Sequence, residues 1–124
     1  MRALLMALGL LLTATVDAQE WYVGKWSGTT PSSGGGGSDQ REIIFKQDGT
    51  FISNIQSLVA GLVTHGGACT FKDRTLRCTG TIRTGPPPIL GSPVEYVLSQ
   101  KGDDLEGTIL STGRTRQVTL KRAK

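Results

Sequence analysis

The chain has 124 residues, a formal net charge of +4 at pH 7, 37% hydrophobic residues and 17 glycines. That length holds one small domain and a modest core, and so much glycine argues against a helical bundle. The basic residues are spread out apart from the tail Lys121-Arg122-Lys124, so the charge reads as surface solvation and argues against nucleic acid as a partner.

In chain order, Met1-Arg2 is a short positive start and Ala3 to Leu12 an unbroken apolar run. Val16-Asp17-Ala18 then places β-branched and small residues at the −3 and −1 positions of a cleavage site. That order predicts a secretory signal peptide over residues 1–18 and an exported domain, periplasmic or extracellular, over residues 19–124. The apolar run is shorter than the roughly 20 residues that span a bilayer, so no stable membrane insertion is expected. No cysteine follows the run, which argues against a lipoprotein anchor there.

From Trp21 onward, apolar residues alternate with polar ones in short runs bounded by Gly, Asp and Pro. This predicts an all-β chain. Strands are expected near Trp21–Thr29, Arg41–Lys46, Thr50–Ile55, Ala68–Lys72, Thr75–Thr84, Pro93–Gln100, Asp104–Ser111 and Thr115–Arg122. Such a meander of about eight antiparallel strands closes most economically as an up-and-down β-barrel, with a two-sheet sandwich as the alternative.

Turn residues set the registers. Phe45-Lys46-Gln47-Asp48-Gly49-Thr50-Phe51 predicts a three-residue turn with Gly49 left-handed, which sets Phe45 opposite Phe51. A turn at Asp73-Arg74 sets Cys69 opposite Cys78 at a close-approach pair, so these two cysteines are expected to form a disulfide. A Lys101-Gly102 turn sets Leu98 opposite Leu105 and Tyr96 opposite Gly107. A Thr112-Gly113 turn sets Ile109 opposite Arg116 and Leu105 opposite Leu120. Both hairpins then share one inner face of Val94, Tyr96, Leu98, Leu105, Gly107, Ile109, Val118 and Leu120. Gly107 is expected beneath the Tyr96 ring.

Connections in an up-and-down meander alternate between two ends. Three tight turns fall at one end. The long connections Thr30–Gln40, Gln56–Gly67 and Gly85–Ser92 are expected at the other, which makes it the place for a site. Ser32 to Ser38 is glycine-rich coil. Ser57 to Val63 is apolar for a loop, fitting a short helical turn or strand that plugs the barrel end, or a binding lip. Gly85-Pro86-Pro87-Pro88 is stiff and would hold Ile89 and Leu90 in fixed positions.

Gly24-Lys25-Trp26 places a G-x-W on the first strand. With a small meander barrel and a long first loop, it resembles the calycins, the superfamily of lipocalins and avidins. The resemblance implies that Trp26 packs across the barrel floor and that the open end admits a small ligand. It does not extend to a second lipocalin motif or to the polar contacts that avidins make with biotin. Small secreted barrels that inhibit bacterial metalloproteases share a G-x-W start and one disulfide.

No catalytic constellation is present, and an enzyme is not expected. There is no G-x-S-x-G, and His65 is the single histidine. Two cysteines cannot complete a cysteine-rich zinc site, so neither metal nor cofactor is expected. Tyr96 at mid-barrel and Arg116 near the mouth are the polar groups of the expected inner face. The sequence therefore predicts binding of a small apolar or amphipathic molecule. Trp26 would lie at the floor, Tyr96 in the wall, Arg116 at the rim as an anion receiver, and Ile89 and Leu90 at the mouth. The alternative is a module that binds another exported protein, such as a protease, through its N-terminal segment or long loops.

Overall fold

A computed structural model describes residues 21–31 and 37–123. The expected signal peptide and its cleavage site lie outside the described residues, as does much of the glycine-rich first loop.

Eight strands follow one another: β1 (Gly24–Pro31), β2 (Ser38–Phe45), β3 (Thr50–Ser57), β4 (Gly61–Lys72), β5 (Thr75–Thr84), β6 (Pro93–Lys101), β7 (Asp104–Ser111) and β8 (Arg114–Arg122). Each pairs antiparallel with the next, and β1 pairs with β8 to close the barrel. This is the eight-stranded up-and-down layout that the calycin resemblance implies. Closure satisfies both outer edges, which an open sheet of this length would leave exposed.

Turn chemistry explains most of the register. Gly49 is left-handed at φ +89° and Phe45 faces Phe51. Asp73 and Arg74, at φ +54° and +62°, make a two-residue turn that sets Cys69 opposite Cys78. The disulfide forms across that pair, with Cα atoms 4.0 Å apart. Thr112 and Gly113 are both left-handed, and Ile109 faces Arg116.

The β6–β7 hairpin differs from expectation by two residues. Its turn is Gly102-Asp103, with Gly102 at φ +61° in the first turn position, and Lys101 pairs with Asp104. Gly first is the II′ pattern, which competes with I′ in two-residue hairpins. Leu98 therefore faces Gly107, and Tyr96 faces Ile109. A slip of two preserves the direction of every side chain, so the inner face is unchanged. Gly107 is required by backbone rather than by the Tyr96 ring: a Cβ there would lie 1.8 Å from the Val97 carbonyl oxygen.

Gln56–Gly67 is not a long loop. β3 runs on to Ser57, β4 starts at Gly61, and only Leu58-Val59-Ala60 connect them. Gly66 and Gly67 resemble loop punctuation but lie within β4, and Gly67 with Gly80 serves a close crossing of β4 and β5. A Cβ on Gly67 would stand 2.0 Å from the Thr79 carbonyl oxygen, and one on Gly80 2.1 Å from that of Gly66. The extended β4 carries Val63 and His65 inward, with a bulge between Thr64 and His65.

The closed end is filled. Trp26, Ile43, Phe45, Phe51, Leu76, Leu98, Leu105 and Leu120 are essentially inaccessible. An aromatic column climbs from Tyr22, stacked on Phe71 at 5.2 Å and edge-on to Phe45 at 5.8 Å, through Phe51 to Tyr96 at 5.1 Å. Such pairs contribute about 0.5–1.5 kcal/mol each beyond area burial. Arg122 caps this end. Its guanidinium lies 4.4 Å from the Trp26 ring centroid and donates to the carbonyls of Val23 and Trp21.

Candidate functional site: a cavity with a polar floor

Above Tyr96 the barrel is open. A cavity of about 210 Å³ is lined by Asp39, Arg41, Ile55, Val63, His65, Ile82, Ile89 and Arg116, and by the neighbouring Val59, Ala60 and Ser111. Strand alternation builds it. Arg41 shares the inward phase of Ile43 and Phe45 on β2, and His65 that of Val63 on β4.

The floor is a hydrogen-bonded relay. Arg41, 6% exposed, donates from Nη1 to the Tyr96 hydroxyl at 3.3 Å and from Nη2 to Thr30 Oγ1 at 3.4 Å. The Tyr96 oxygen lies 2.8 Å from His65 Nδ1. His65 is held neutral. Burial first, then the positive charges of Arg41 and Arg116, lower its pKa to about 3. Burial also raises the pKa of the Tyr96 hydroxyl, with Arg41 partly offsetting it.

Charge at the floor is not balanced by contact. No ion pair within 4.0 Å joins Arg41 or Arg116 to a carboxylate among the described residues; the pairs found there are Lys25–Glu42, Lys101–Glu106 and Lys121–Asp104, all on the outer surface. Arg41 Nε is buried without a hydrogen-bond partner, and the buried Ser53, which faces His65 across β3–β4, lies beside the Tyr96 hydroxyl. Asp39 lines the same cavity, and its Oδ1 accepts the Leu58 backbone N–H at 3.0 Å, which pins the β3–β4 turn. Burial and then the charges of Arg41 and Arg114 lower the Arg116 pKa, while Asp39 partly offsets them.

The sequence-predicted residues separate. Arg116 and Ile89 line the cavity. Tyr96 does not line it: it is fully buried beneath Arg41 and His65, bonded to both through its hydroxyl. Leu90 is 47% exposed on the outside of the mouth. Trp26 lies towards the closed end, paired with Ile43 and Arg122, its Nε1 donating to the Tyr22 carbonyl at 2.8 Å. It is walled off from the cavity by the aromatic column. Sequence reading missed Arg41 and His65. The signal for Arg41 was its even spacing from Ile43 and Phe45; for His65 it was hidden by the glycines beside it.

Fold and site together define a small closed antiparallel barrel, packed in its lower half and open above a cationic floor. No protein-family model matches the chain, and no curated protein matches it. Among solved structures, a crystal structure of a mutant of the fluorescent protein UnaG is similar, with 13% identity over 84% of this chain and 97% of that one and a TM-score of 0.44.

Proposed function

We propose that this chain binds a small amphipathic anion in the open end of its barrel, head group down. The observation that carries the reading is Arg41: a buried guanidinium in the interior, bonded to neutral hydroxyls and to no carboxylate among the described residues. A buried cation is costly until a counter-charge meets it. An anionic head on Arg41, with Arg116 beside it, supplies that charge through short charge-assisted hydrogen bonds. Ile55, Val63, Ile82 and Ile89 form the wall for the apolar part. An apolar cavity of about 150 Å³ takes benzene, so 210 Å³ takes a short chain or single ring rather than a long acyl tail.

The reading is binding without catalysis and places the chain outside the cytoplasm. The apolar run Ala3–Leu12 and the Cys69–Cys78 disulfide support export. Calorimetric titration with sodium hexanoate against 1-hexanol tests the site. Hexanoate is expected to bind at least about tenfold more tightly, the worth of one charged hydrogen bond. Equal affinities, or no heat from hexanoate, would refute the anion reading.

A further inference from the structure

The mouth has a second feature, a set of exposed apolar side chains of which Val59 alone also lines the cavity. Four apolar side chains stand out around it: Leu58 at 65% exposed and Val59 at 64% on the β3–β4 turn, Leu62 at 47% at the start of β4, and Leu90 at 47% on the β5–β6 loop. Leu58 and Leu90 line no part of the cavity. Leu58, Val59 and Leu62 belong to the β3–β4 hairpin and Leu90 to the β5–β6 loop, two connections that topology brings to the same end. Arg114, on the β7–β8 turn at the same end, is exposed and pairs with no carboxylate among the described residues. Its charge reaches Arg116, as does that of Arg41. Of the carboxylates at this end, Asp39 is buried under the turn and Glu95 is on the outer wall, paired in register with Thr79 and Leu110.

From this we infer that the open rim docks on an anionic lipid surface, with Leu58, Val59, Leu62 and Leu90 entering the headgroup region and Arg114 facing lipid phosphates. Apolar tips backed by arginine are the two components that hold a peripheral protein at an anionic bilayer. The geometry also gives a direction of travel, which rests on the amphipathic-anion reading above. A single-chain amphiphile in a bilayer presents its head outward. A barrel seated mouth-down meets that head first, and the polar floor of Arg41, Tyr96 and His65 lies at the far end of the cavity to receive it. The apolar part then follows past the rim.

Vesicle flotation of the full chain, without added ligand, tests the docking. Vesicles of phosphatidylcholine alone are compared with vesicles that also contain phosphatidylglycerol. At least about tenfold more protein is expected on the anionic vesicles, and raised salt should release it. A double variant, Leu58→Asn with Leu90→Asn, should lose at least about tenfold in vesicle partition, while hexanoate binding stays at the wild-type value. Arg41→Met should show the opposite pattern, keeping vesicle binding and losing hexanoate. Wild-type protein that ignores anionic vesicles overturns the docking while leaving the cavity reading intact. So does a double variant that floats like wild type. A wild-type dimer that the double variant abolishes, without vesicle binding, would assign these tips to a second copy of this chain and overturn the inference.

Discussion

The Tyr96 hydroxyl oxygen and His65 Nδ1 lie 2.8 Å apart inside the barrel, where burial and the charges of Arg41 and Arg116 hold the imidazole neutral. His65 therefore titrates at about 3 in the folded protein, against about 6.5 in an unfolded chain. Above pH 6.5 neither state binds the proton, and the contribution of this group to stability is complete. Between 6.5 and 3 the unfolded chain takes up a proton that the folded protein refuses, so stability falls as pH drops. From pH 7 to pH 4.5 the loss is about 2.5 kcal/mol. Urea midpoints over that range should fall more steeply for wild type than for His65→Gln. Parallel curves would mean that the histidine is not held neutral.

Arg41 is buried with its charge unmatched by contact, so replacing it should not behave like an ordinary core change. Arg41→Met removes the desolvated cation and fills similar space. Tm is expected to stay level or rise by the equivalent of about 1 kcal/mol. Hexanoate affinity should fall by about tenfold or more. A large drop in Tm would show that the guanidinium stabilises the empty barrel, which is the opposite of a site awaiting an anion.

Gly107 tests the close crossing of β6 and β7. Gly107→Ala forces a methyl to within 1.8 Å of the Val97 carbonyl oxygen and should cost about 3 kcal/mol or more. Gly66→Ala is the control: its nearest neighbours are Arg83 side-chain atoms at 3.4 Å, and it should cost less than about 1 kcal/mol. Denaturant unfolding of both variants gives the comparison. Similar costs would contradict the backbone approach.

Arg122 tests the seam. Register between β1 and β8 is short, Trp26 with Arg122 and Ser27 with Lys121. The Arg122 guanidinium adds a cation–π contact to Trp26 and two bonds to the N-terminal segment. Arg122→Ala should lose about 1–2 kcal/mol in urea unfolding. Lys121→Ala removes an exposed pair with Asp104 and should lose less than about 0.5 kcal/mol.

Local chemistry was enough to read much of this barrel. Alternation fixed which side chains point inward, and the Asp48-Gly49, Asp73-Arg74 and Thr112-Gly113 turns fixed three registers and the disulfide, because a hairpin is decided by residues adjacent in sequence. The II′ turn at Gly102 moved partners by two without changing faces, since side-chain direction repeats every second residue. What the tertiary structure alone decided depends on strands distant in sequence. Gly67 is a glycine within a strand because β5 passes against it, a fact its own neighbourhood cannot carry. Trp26, expected at the floor, is cut off from the cavity because the aromatic column fills the space between them. Arg41, Tyr96 and His65 come from β2, β6 and β4, and only barrel closure brings their polar atoms within hydrogen-bond distance at the bottom of the cavity.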